Sequence, residues 1–536
     1  MSQSTRSPGA VREMSAFEQD FRRKIPYTRE ENQQRYEAYE KLIPVLEARK
    51  PSDRPRIVVI TDVEQDYDDL LAIIFLSEMH HLGAVELAGL ITNHGDPLKR
   101  AKFLRTVMHL LDMGDIQVAE GTVALWPPEK ARDYRPGYYE LKNTTFENQS
   151  WNKPKFLTGY ELLENLAQEV DKGKEPLTVL LISSLHDISE YFRVHEDDPA
   201  FLKRHFRKFV SQGGYTVNTD PATGACNIAP VEQMFNNASH IPSARHFTKC
   251  LAKYGLPSDA WSKEAAVAAT LDGSVFTEAV KYGPIGRHLQ WLRERQEFKF
   301  YWDPYNAPFR SWLDPSWFLR IRCAMDPKSE KFFKFSKSPP SFREALPEIK
   351  VIVYDGCAAM GAVGDDIMRA LGIMGDDIKV PEYNKAAHQH RIFGAGVGDL
   401  GGISGEQLGS MFEVFLLGAL KRTKDAAEGL IPSDSVEHQV EQYRVGLHIF
   451  KHQVPFLKEG NTLAEKTKNQ KISESEREQA NKALKTLKSE FLPGELGNWP
   501  KVPAILDIPY ELLYQEAKRQ GRAEEEREAL EGKQRA

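Results

Sequence analysis

The chain has 536 residues, of which 41% are hydrophobic and 28% charged, and its formal net charge is −6. This composition is typical of a folded globular protein with two to four domains, or of one large α/β domain with insertions. The negative charge disfavours a nucleic-acid partner, and the apolar runs are too short to cross a membrane. Four widely spaced cysteines and a polar N-terminus without a secretory signal predict a cytoplasmic location.

Charged segments flank a central region at both ends of the chain. Residues 1–55 carry apolar side chains at helical spacing between residues 28 and 50, which predicts an N-terminal helical arm. Beyond about residue 455 the composition shifts to Lys, Glu and Gln. We therefore predict a charged helical extension over 456–536, whose end at 524–531 is a solvated helix or a disordered tail.

Residues 56–455 are predicted to form one α/β domain. Apolar strands are expected at 57–61, 85–92, 116–119 and 177–182, with helices near 70–80, 98–111 and from about 187. The run 177–182 is almost wholly apolar, as strands buried on both faces are. This alternation predicts a mostly parallel open sheet with helices on both faces.

An aromatic- and proline-rich region at about 250–345 interrupts this pattern without a clear strand–helix repeat. We interpret it as an inserted cap or lid, with half-buried decoration of the core as the alternative. Strand character returns at 349–354, and the glycines between 394 and 409 predict a flexible loop that could border a site.

The turn after the first strand carries five carboxylates: Asp62, Glu64, Asp66, Asp68 and Asp69. So many acids at the carboxyl end of a strand repel one another unless a cation lies among them, and oxygen ligands suit a hard divalent ion. Ligands of open α/β sheets bind at this edge. The simpler alternative is that some of these acids only cap the following helix.

The turn also resembles a known signature. Residues 62–70 read DVEQDYDDL, which is similar to the D-x-D-P-G-x-D-D-A motif of the inosine–uridine-preferring nucleoside hydrolases. The first acid and the final pair match in spacing. Glu64 stands where the family has Asp, Gln65 and Asp66 replace Pro-Gly, and Leu70 replaces Ala.

Later segments resemble the same family in order and spacing, over roughly residues 56–425. Residues 89–96 read GLITNHGD, with Asp96 in place of the family's Asn, and 183–188 read SSLHDI where the family has G-P-L-T-N-I. Residues 353–360 read VYDGCAAM and resemble the late motif H-D-x-x-A. Weaker similarities lie at Gly213-Gly214, at Asn227 before Pro230, and at Phe235 with Asn236 and Asn237.

The resemblance implies a calcium site and assigns roles around it. Glu64, Asp69, Asp355 and the backbone carbonyl of His186 would hold the ion, with Asp62 as a further candidate ligand. Glu64 would also be the base that takes a proton from water, although Asp62 or Asp66 could take over part of its role. The implied sugar-binding residues are Asp68, Asp96, Asn227, and either Asn236 or Asn237.

Tyr354 stands where the family has a histidine, so it is a candidate proton donor to the leaving base or a stacking ring, with simple packing at the strand end as the alternative. His94 is a further candidate catalytic residue at a predicted strand end, where an ordinary supporting role is the alternative. Because Glu is one methylene longer than Asp, Glu64 could hold a metal yet misplace the water.

The leading hypothesis is a calcium-dependent hydrolase that cleaves the N-glycosidic bond of a ribonucleoside or a related N-ribosyl compound. The alternative is a catalytically impaired protein that binds a ribosyl ligand or a partner on the same fold. A phosphotransfer hydrolase with Asp62 as nucleophile ranks third, because no suitable lysine accompanies Ser183 and Ser184. We expect a small-molecule nucleoside as partner, no nucleic acid, no membrane, and possible homo-oligomers.

Overall fold

A computed structural model describes residues 14–128, 144–147, 149–152, 155–219, 222–223, 226–306, 314–337, 342–375, 390–394, 400–431, 462–463, 466–469 and 472–490. Its strands are β1 (Arg56–Thr61), β2 (Glu86–Thr92), β3 (Val118–Glu120), β4 (Leu157–Thr158), β5 (Leu177–Ile182), β6 (Phe206–Gln212), β7 (Tyr215–Thr219), β8 (Cys226–Pro230), β9 (Ser258–Trp261) and β10 (His390–Phe393). Eight of them form one sheet in the order β10-β9-β6-β5-β1-β2-β3-β4, while β7 and β8 make a separate antiparallel pair.

The helices before β9 are α1 (Ala16–Lys24), α2 (Gln33–Glu40), α3 (Ile43–Ala48), α4 (Asp68–His81), α5 (Pro97–Leu110), α6 (Thr144–Glu147), α7 (Gly159–Asp171), α8 (His186–Val194), α9 (Pro199–His205), α10 (Phe235–Ser239) and α11 (Ile241–Tyr254). Those after β9 are α12 (Lys263–Ala268), α13 (Ser274–Ala279), α14 (Pro284–Asn306), α15 (Pro315–Trp317), α16 (Glu330–Lys337), α17 (Phe342–Ala345), α18 (Tyr354–Ala362), α19 (Asp365–Ala370), α20 (Gly405–Leu430) and α21 (Glu474–Glu490). A π-helical turn spans Phe318–Arg322.

Strand β1 lies near the middle of the sheet, and all six of its residues are buried. After Arg56, every side chain of the strand is apolar or β-branched, which suits a strand covered on both faces. It pairs in parallel with β2 on one side and with β5 on the other. Successive β1 residues contribute to two different cores: Ile57 and Val59 to one, Val58 and Ile60 to the other. Both faces of the sheet are therefore covered, and the predicted parallel α/β fold is confirmed.

Two details of the chain differ from the sequence-based expectation. Strand β9 lies inside the region whose sequence shows no clear strand–helix repeat, and it pairs in parallel with β6 and β10. A strand of four residues is too short to show a periodic pattern of apolar side chains in the sequence. Residues 349–354, predicted to be a strand, contribute only an isolated antiparallel bridge between Leu271 and Val351 before α18 begins.

The aromatic region packs partly as core. Trp291, Tyr301 and Phe318 are all buried. This favours core packing over a freely exposed lid for those three side chains. Trp291 and Tyr301 lie on α14, the longest helix of this region. Other side chains of α14 contact Tyr67 in the acidic turn after β1. The tail at 524–531 and residues 395–399 of the predicted glycine-rich loop lie outside the described residues.

Helices α1–α3 precede the sheet, and α2 contacts helices of the core through a buried side chain. Tyr39 of α2 is buried and its hydroxyl donates a hydrogen bond to Glu78 of α4 at 2.8 Å. Arg422 of α20 pairs with the same carboxylate at 2.6 Å. The N-terminal segment is thereby joined to two core helices through one buried charge. Across the described residues, no helix is long and apolar enough to span a membrane.

Candidate metal centre

Four carboxylates meet at the carboxyl edge of the sheet. Asp66, Asp68, Asp69 and Asp355 each offer one oxygen, and these four oxygens lie within 4.8 Å of one another. Asp68 and Asp69 are the first two residues of α4, and Asp355 is the second residue of α18. Helices α4 and α18 pack together, so segments almost 290 positions apart in the sequence bring their N-terminal acids to one point.

Burial raises the pKa values of these acids, and the neighbouring carboxylates raise them further. The pKa of Asp68 rises to about 6, and those of Asp66, Asp69 and Asp355 lie well above their ordinary value. Negative charge is therefore costly at this point without a counter-ion. Four close oxygens, with no nitrogen or sulfur among them, are the ligand chemistry of a hard divalent cation such as Ca²⁺, so the donor set fits the ion that the sequence implied.

The end of β1 holds Asp69 in place. The Thr61 hydroxyl donates a hydrogen bond to Asp69 Oδ1, and the Asp62 backbone N–H donates to the same oxygen at 3.2 Å. One carboxylate oxygen is thus committed to the strand end.

Arg100 of α5 lies buried beneath the acidic turn. Its Nη1 donates to the carbonyl oxygens of Asp62 and Val63 at 2.6 and 2.7 Å, and its Nε donates to the His94 carbonyl at 2.8 Å. The guanidinium lowers the pKa values of Asp62, Asp66 and Asp69, but burial outweighs it and they remain raised. Arg100 therefore shapes the turn, while the pKa values of the three acids stay raised.

We expect Arg100→Met to lower the free energy of unfolding by about 3–5 kcal/mol, because it leaves buried carbonyl oxygens without donors. Arg100→Lys should recover less than half of this loss, since an ammonium lacks the guanidinium fork. The exposed Arg193→Met is the matched control and should change stability by no more than about 0.5 kcal/mol. Urea unfolding measures all three, and equal stability of Arg100→Met and wild type would contradict this role.

Glu64 lies in the same turn but is not among the four converging acids. Its backbone is left-handed, with φ +76°, and its Oε1 is 3.7 Å from Nε2 of His288 on α14. Both side chains are almost fully buried. The left-handed backbone and the longer side chain direct the carboxylate towards the inserted region, while Asp66 joins Asp68, Asp69 and Asp355.

Asp62 and His94 face each other next to the cluster. Asp62 Oδ2 is 3.8 Å from His94 Nδ1, and burial, with Asp66 adding to it, raises the pKa of Asp62 to about 7. Burial and Arg100 lower the pKa of His94 to about 3, so its ring is neutral at neutral pH. The His94 ring also meets the ring of Phe235 at 5.5 Å.

The inserted region covers the acidic turn through Tyr67. The Tyr67 hydroxyl donates to Glu297 at 2.8 Å, and its backbone N–H donates to Gln296 at 3.2 Å, both on α14. Arg322 forms an ion pair with Glu297. Tyr354, the first residue of α18, is half-buried, and burial raises its pKa to about 12 although Arg322 lowers it. Its phenol is therefore protonated at neutral pH.

The amide and carboxylate side chains assigned to sugar binding lie in different places. Asp96 is exposed and caps α5 by accepting the Lys99 N–H at 3.1 Å, and Asn227 is exposed on β8. Asn236 and Asn237 are buried on α10. The Asn236 amide donates to the Gln212 side chain at 3.0 Å, whereas that of Asn237 donates to two backbone carbonyls, each at 3.0 Å.

His186 is the first residue of α8. Its Nδ1 lies 2.9 Å from the Ser243 hydroxyl and its ring stacks on His240 at 4.1 Å. Asn93 and Asp187, which the sequence analysis did not single out, hold this edge together. The Asn93 amide donates to the Ser184 carbonyl at 2.9 Å and to the Asp187 carboxylate at 2.7 Å. The available signal for Asn93 was its position directly after β2, whereas Asp187 lies in the first turn of α8.

Comparison with solved structures identifies the architecture. The type III effector protein XopQ, complexed with adenosine diphosphate ribose, aligns with a TM-score of 0.57 and 18% identity over 72% of this chain and 99% of that one. The effector protein XOO4466 aligns with a TM-score of 0.52 and 19% identity over 72% and 99%. The chain shares its fold with these two effector proteins.

A purine-preferring ribonucleoside hydrolase from Gardnerella vaginalis also matches, with a TM-score of 0.40 and 13% identity over 68% of this chain and 99% of that one. No protein-family profile matches the chain, and no curated protein matches it. At 18% and 19% identity, the likeness to the two effector proteins establishes the fold alone, so the activity has to be argued from the residues of this chain.

Proposed function

We propose that this protein is a metal-dependent hydrolase that cleaves the N-glycosidic bond of a ribonucleoside or a related N-ribosyl compound. The observation that carries the proposal is the convergence of Asp66, Asp68, Asp69 and Asp355 at the carboxyl edge of the eight-stranded sheet. Ligands of such sheets bind at this edge. The presence of adenosine diphosphate ribose in the XopQ structure supports a ribosyl ligand.

Calcium is the ion we propose, held by these four carboxylates. When bound, such an ion grips sugar hydroxyls and lowers the pKa of a bound water. The acidic floor itself favours the reaction, because cleavage of an N-glycosidic bond builds positive charge on the sugar. An oxygen of Asp68 would accept a hydrogen bond from a ribose hydroxyl, and Asn236 would orient a second hydroxyl together with Gln212.

Two proton transfers complete the proposed reaction. Glu64 takes a proton from the attacking water, while Asp66 takes the ligand position that the resemblance gave to Glu64. The Tyr354 hydroxyl stays protonated at neutral pH and donates its proton to the departing base. His94 keeps Asp62 and Phe235 in position as a neutral ring. Side chains of α14 over Tyr67 exclude water from the turn.

The direct test uses the full-length chain with a panel of purine and pyrimidine nucleosides in calcium buffer and in excess chelator. We expect release of reducing sugar with calcium and none with chelator. Asp355→Asn should be inactive in both, while Asp198→Asn should behave as wild type, because Asp198 is exposed, accepts the Phe201 N–H at 2.9 Å as the cap of α9, and Asn also caps a helix. No sugar release from any nucleoside in calcium buffer would contradict hydrolysis.

A ribosyl-binding protein without turnover is the second candidate. The placement of Glu64 against His288, away from the four converging oxygens, favours it because a base displaced by about an ångström loses on the order of a hundredfold in rate. In that case a ribosyl ligand would raise the melting temperature in calcium without being cleaved. The cytoplasmic location and the homo-oligomer predicted from sequence remain predictions.

A further inference from the structure

A cavity of about 330 Å³ opens at the amino edge of the sheet, on the side away from the four carboxylates. Its walls come from the segments at the start of β1, β5, β6 and β9, four neighbouring strands, and from α9. Because these strands are parallel, their amino ends meet at one edge and their carboxyl ends at the other. The cavity is therefore separate from the candidate metal centre, and its volume falls within the range of small-molecule sites.

Three charged side chains line this cavity: Glu175, Lys203 and Arg207. Lys203 and Arg207 are exposed, and Glu175 is half-buried. Among the residues that the structure describes, none of the three forms an ion pair, although Arg207 Nη1 donates a hydrogen bond to the Ser52 carbonyl at 3.1 Å. Two cations and one carboxylate thus face the same cavity without neutralising one another, so each is available to a ligand.

The position of Arg207 follows from an irregularity in β6. Leu177 of β5 pairs with Phe206, but the next residue, Thr178, pairs with Lys208, so Arg207 is an extra residue without a partner in β5. An extra residue interrupts the regular alternation of a strand and redirects its side chain. The backbone of β6 therefore places a guanidinium group at the cavity.

We propose that this cavity is a binding site for a small phosphorylated sugar. The phosphate accepts hydrogen bonds from the Arg207 guanidinium and the Lys203 ammonium, and sugar hydroxyls donate to the Glu175 carboxylate. The carbon skeleton lies against the buried Phe206 and Leu256, which give the cavity an apolar floor. A bare phosphate would meet the negative charge of Glu175, whereas a phosphate that also carries hydroxyls satisfies all three charged groups. This inference does not rest on the proposed function.

The test is calorimetric titration of the full chain in excess chelator with glucose 6-phosphate, glucose and inorganic phosphate. Glucose 6-phosphate should bind roughly tenfold more tightly than inorganic phosphate, and glucose should not bind measurably. Arg207→Met should weaken both phosphates roughly ten- to hundredfold, the range expected for the loss of a charge-assisted hydrogen bond. Glu175→Gln should weaken glucose 6-phosphate but strengthen inorganic phosphate, because it removes a like charge.

Arg204→Met is the matched control, because Arg204 is next to Lys203 in sequence but pairs with Asp171 at 3.1 Å and does not line the cavity. It should bind both phosphates as wild type does. Lys203→Met is a second variant that should weaken both phosphates, and urea unfolding without ligand checks that each variant is folded.

Two results would overturn the site: no binding of glucose 6-phosphate by wild type, or equal binding by wild type and a folded Arg207→Met. Equal affinities of wild type for the two phosphates would overturn the assignment to a phosphorylated sugar. Asp355→Asn should bind glucose 6-phosphate normally, and loss of binding in that variant would move the ligand to the four carboxylates. Because the titrations need no calcium, a failure of nucleoside cleavage bears on the proposed function alone.

Discussion

Asp355→Asn is expected to make the metal-free protein more stable than wild type and to abolish its stabilisation by calcium. The substitution removes one of four close carboxylates whose pKa values are raised by burial and by one another. We expect a gain of about 1–3 kcal/mol without metal, the usual size of a single-residue effect on stability. Calcium at a hundredfold excess over its dissociation constant should stabilise wild type by about 2.7 kcal/mol and the variant by close to zero.

The pH dependence of metal-free stability should have a definite sign. A carboxyl group whose pKa is raised in the folded state binds a proton more tightly there than in the unfolded chain. Its contribution is fully present below its ordinary pKa of 3.8 and is lost as the pH rises through the folded values, about 6 for Asp68 and about 7 for Asp62. Wild type should therefore lose stability relative to Asp355→Asn between about pH 4 and 7.

Thermal or urea unfolding of the two proteins, with chelator and with calcium across this pH range, measures both effects. The difference between the two proteins removes the contribution of titrating groups outside the acidic turn, such as the buried histidines, and leaves that of Asp355 and of the acids that it affects. Asp96→Asn, at an exposed helix cap, controls for the chemical change itself. Lower metal-free stability of Asp355→Asn than of wild type at pH 7 would contradict a repulsive cluster.

The second prediction with a large effect is that Glu64 and Asp66 contribute differently to turnover and to stabilisation by calcium. Glu64→Gln should lower kcat about 10²–10⁴-fold, as expected for loss of a base, while retaining most of the calcium-dependent stabilisation. Asp66→Asn should lower turnover and also remove most of that stabilisation, because Asp66, and not Glu64, lies among the four converging oxygens. The two residues are only two positions apart, so the separation depends on the left-handed backbone at Glu64.

Nucleoside turnover and calcium titration of both variants measure this difference between Glu64 and Asp66. His288→Gln adds a further check, because His288 faces Glu64 at 3.7 Å and should affect turnover while leaving calcium affinity unchanged. Loss of calcium binding in Glu64→Gln with normal binding in Asp66→Asn would return the ligand position to Glu64 and contradict the assignment.

Local patterns were sufficient to predict the first strand, the acidic turn and the following helix. The β-branched run of β1 and the apolar run of β5 each specify a buried parallel strand, and the acids between β1 and α4 are adjacent in sequence. The pairing of this turn with Asp355 came only from the family resemblance, because periodicity gives no information about contacts between segments so far apart.

Other parts of the site depend on backbone details that the sequence does not show. Asp66 joins the cluster because the chain turns left-handed at Glu64, a conformation that non-glycine residues seldom adopt. In the sequence, Arg100 cannot be distinguished from any other arginine on a helix. Only the structure shows that the loops after β1 and β2 bring three carbonyls to it. His288, Gln296 and Glu297 come from a region without a strand–helix repeat, so its contacts could not be placed.

A crystal structure grown with calcium tests the central claim most directly. We predict one ion coordinated by oxygens of Asp66, Asp68, Asp69 and Asp355, at about 2.3–2.6 Å from each. The same crystals grown with manganese should give an anomalous peak at that position. No ion at saturating calcium, with the four carboxylates still together and sharing protons, would contradict a metal centre and with it the proposed hydrolysis.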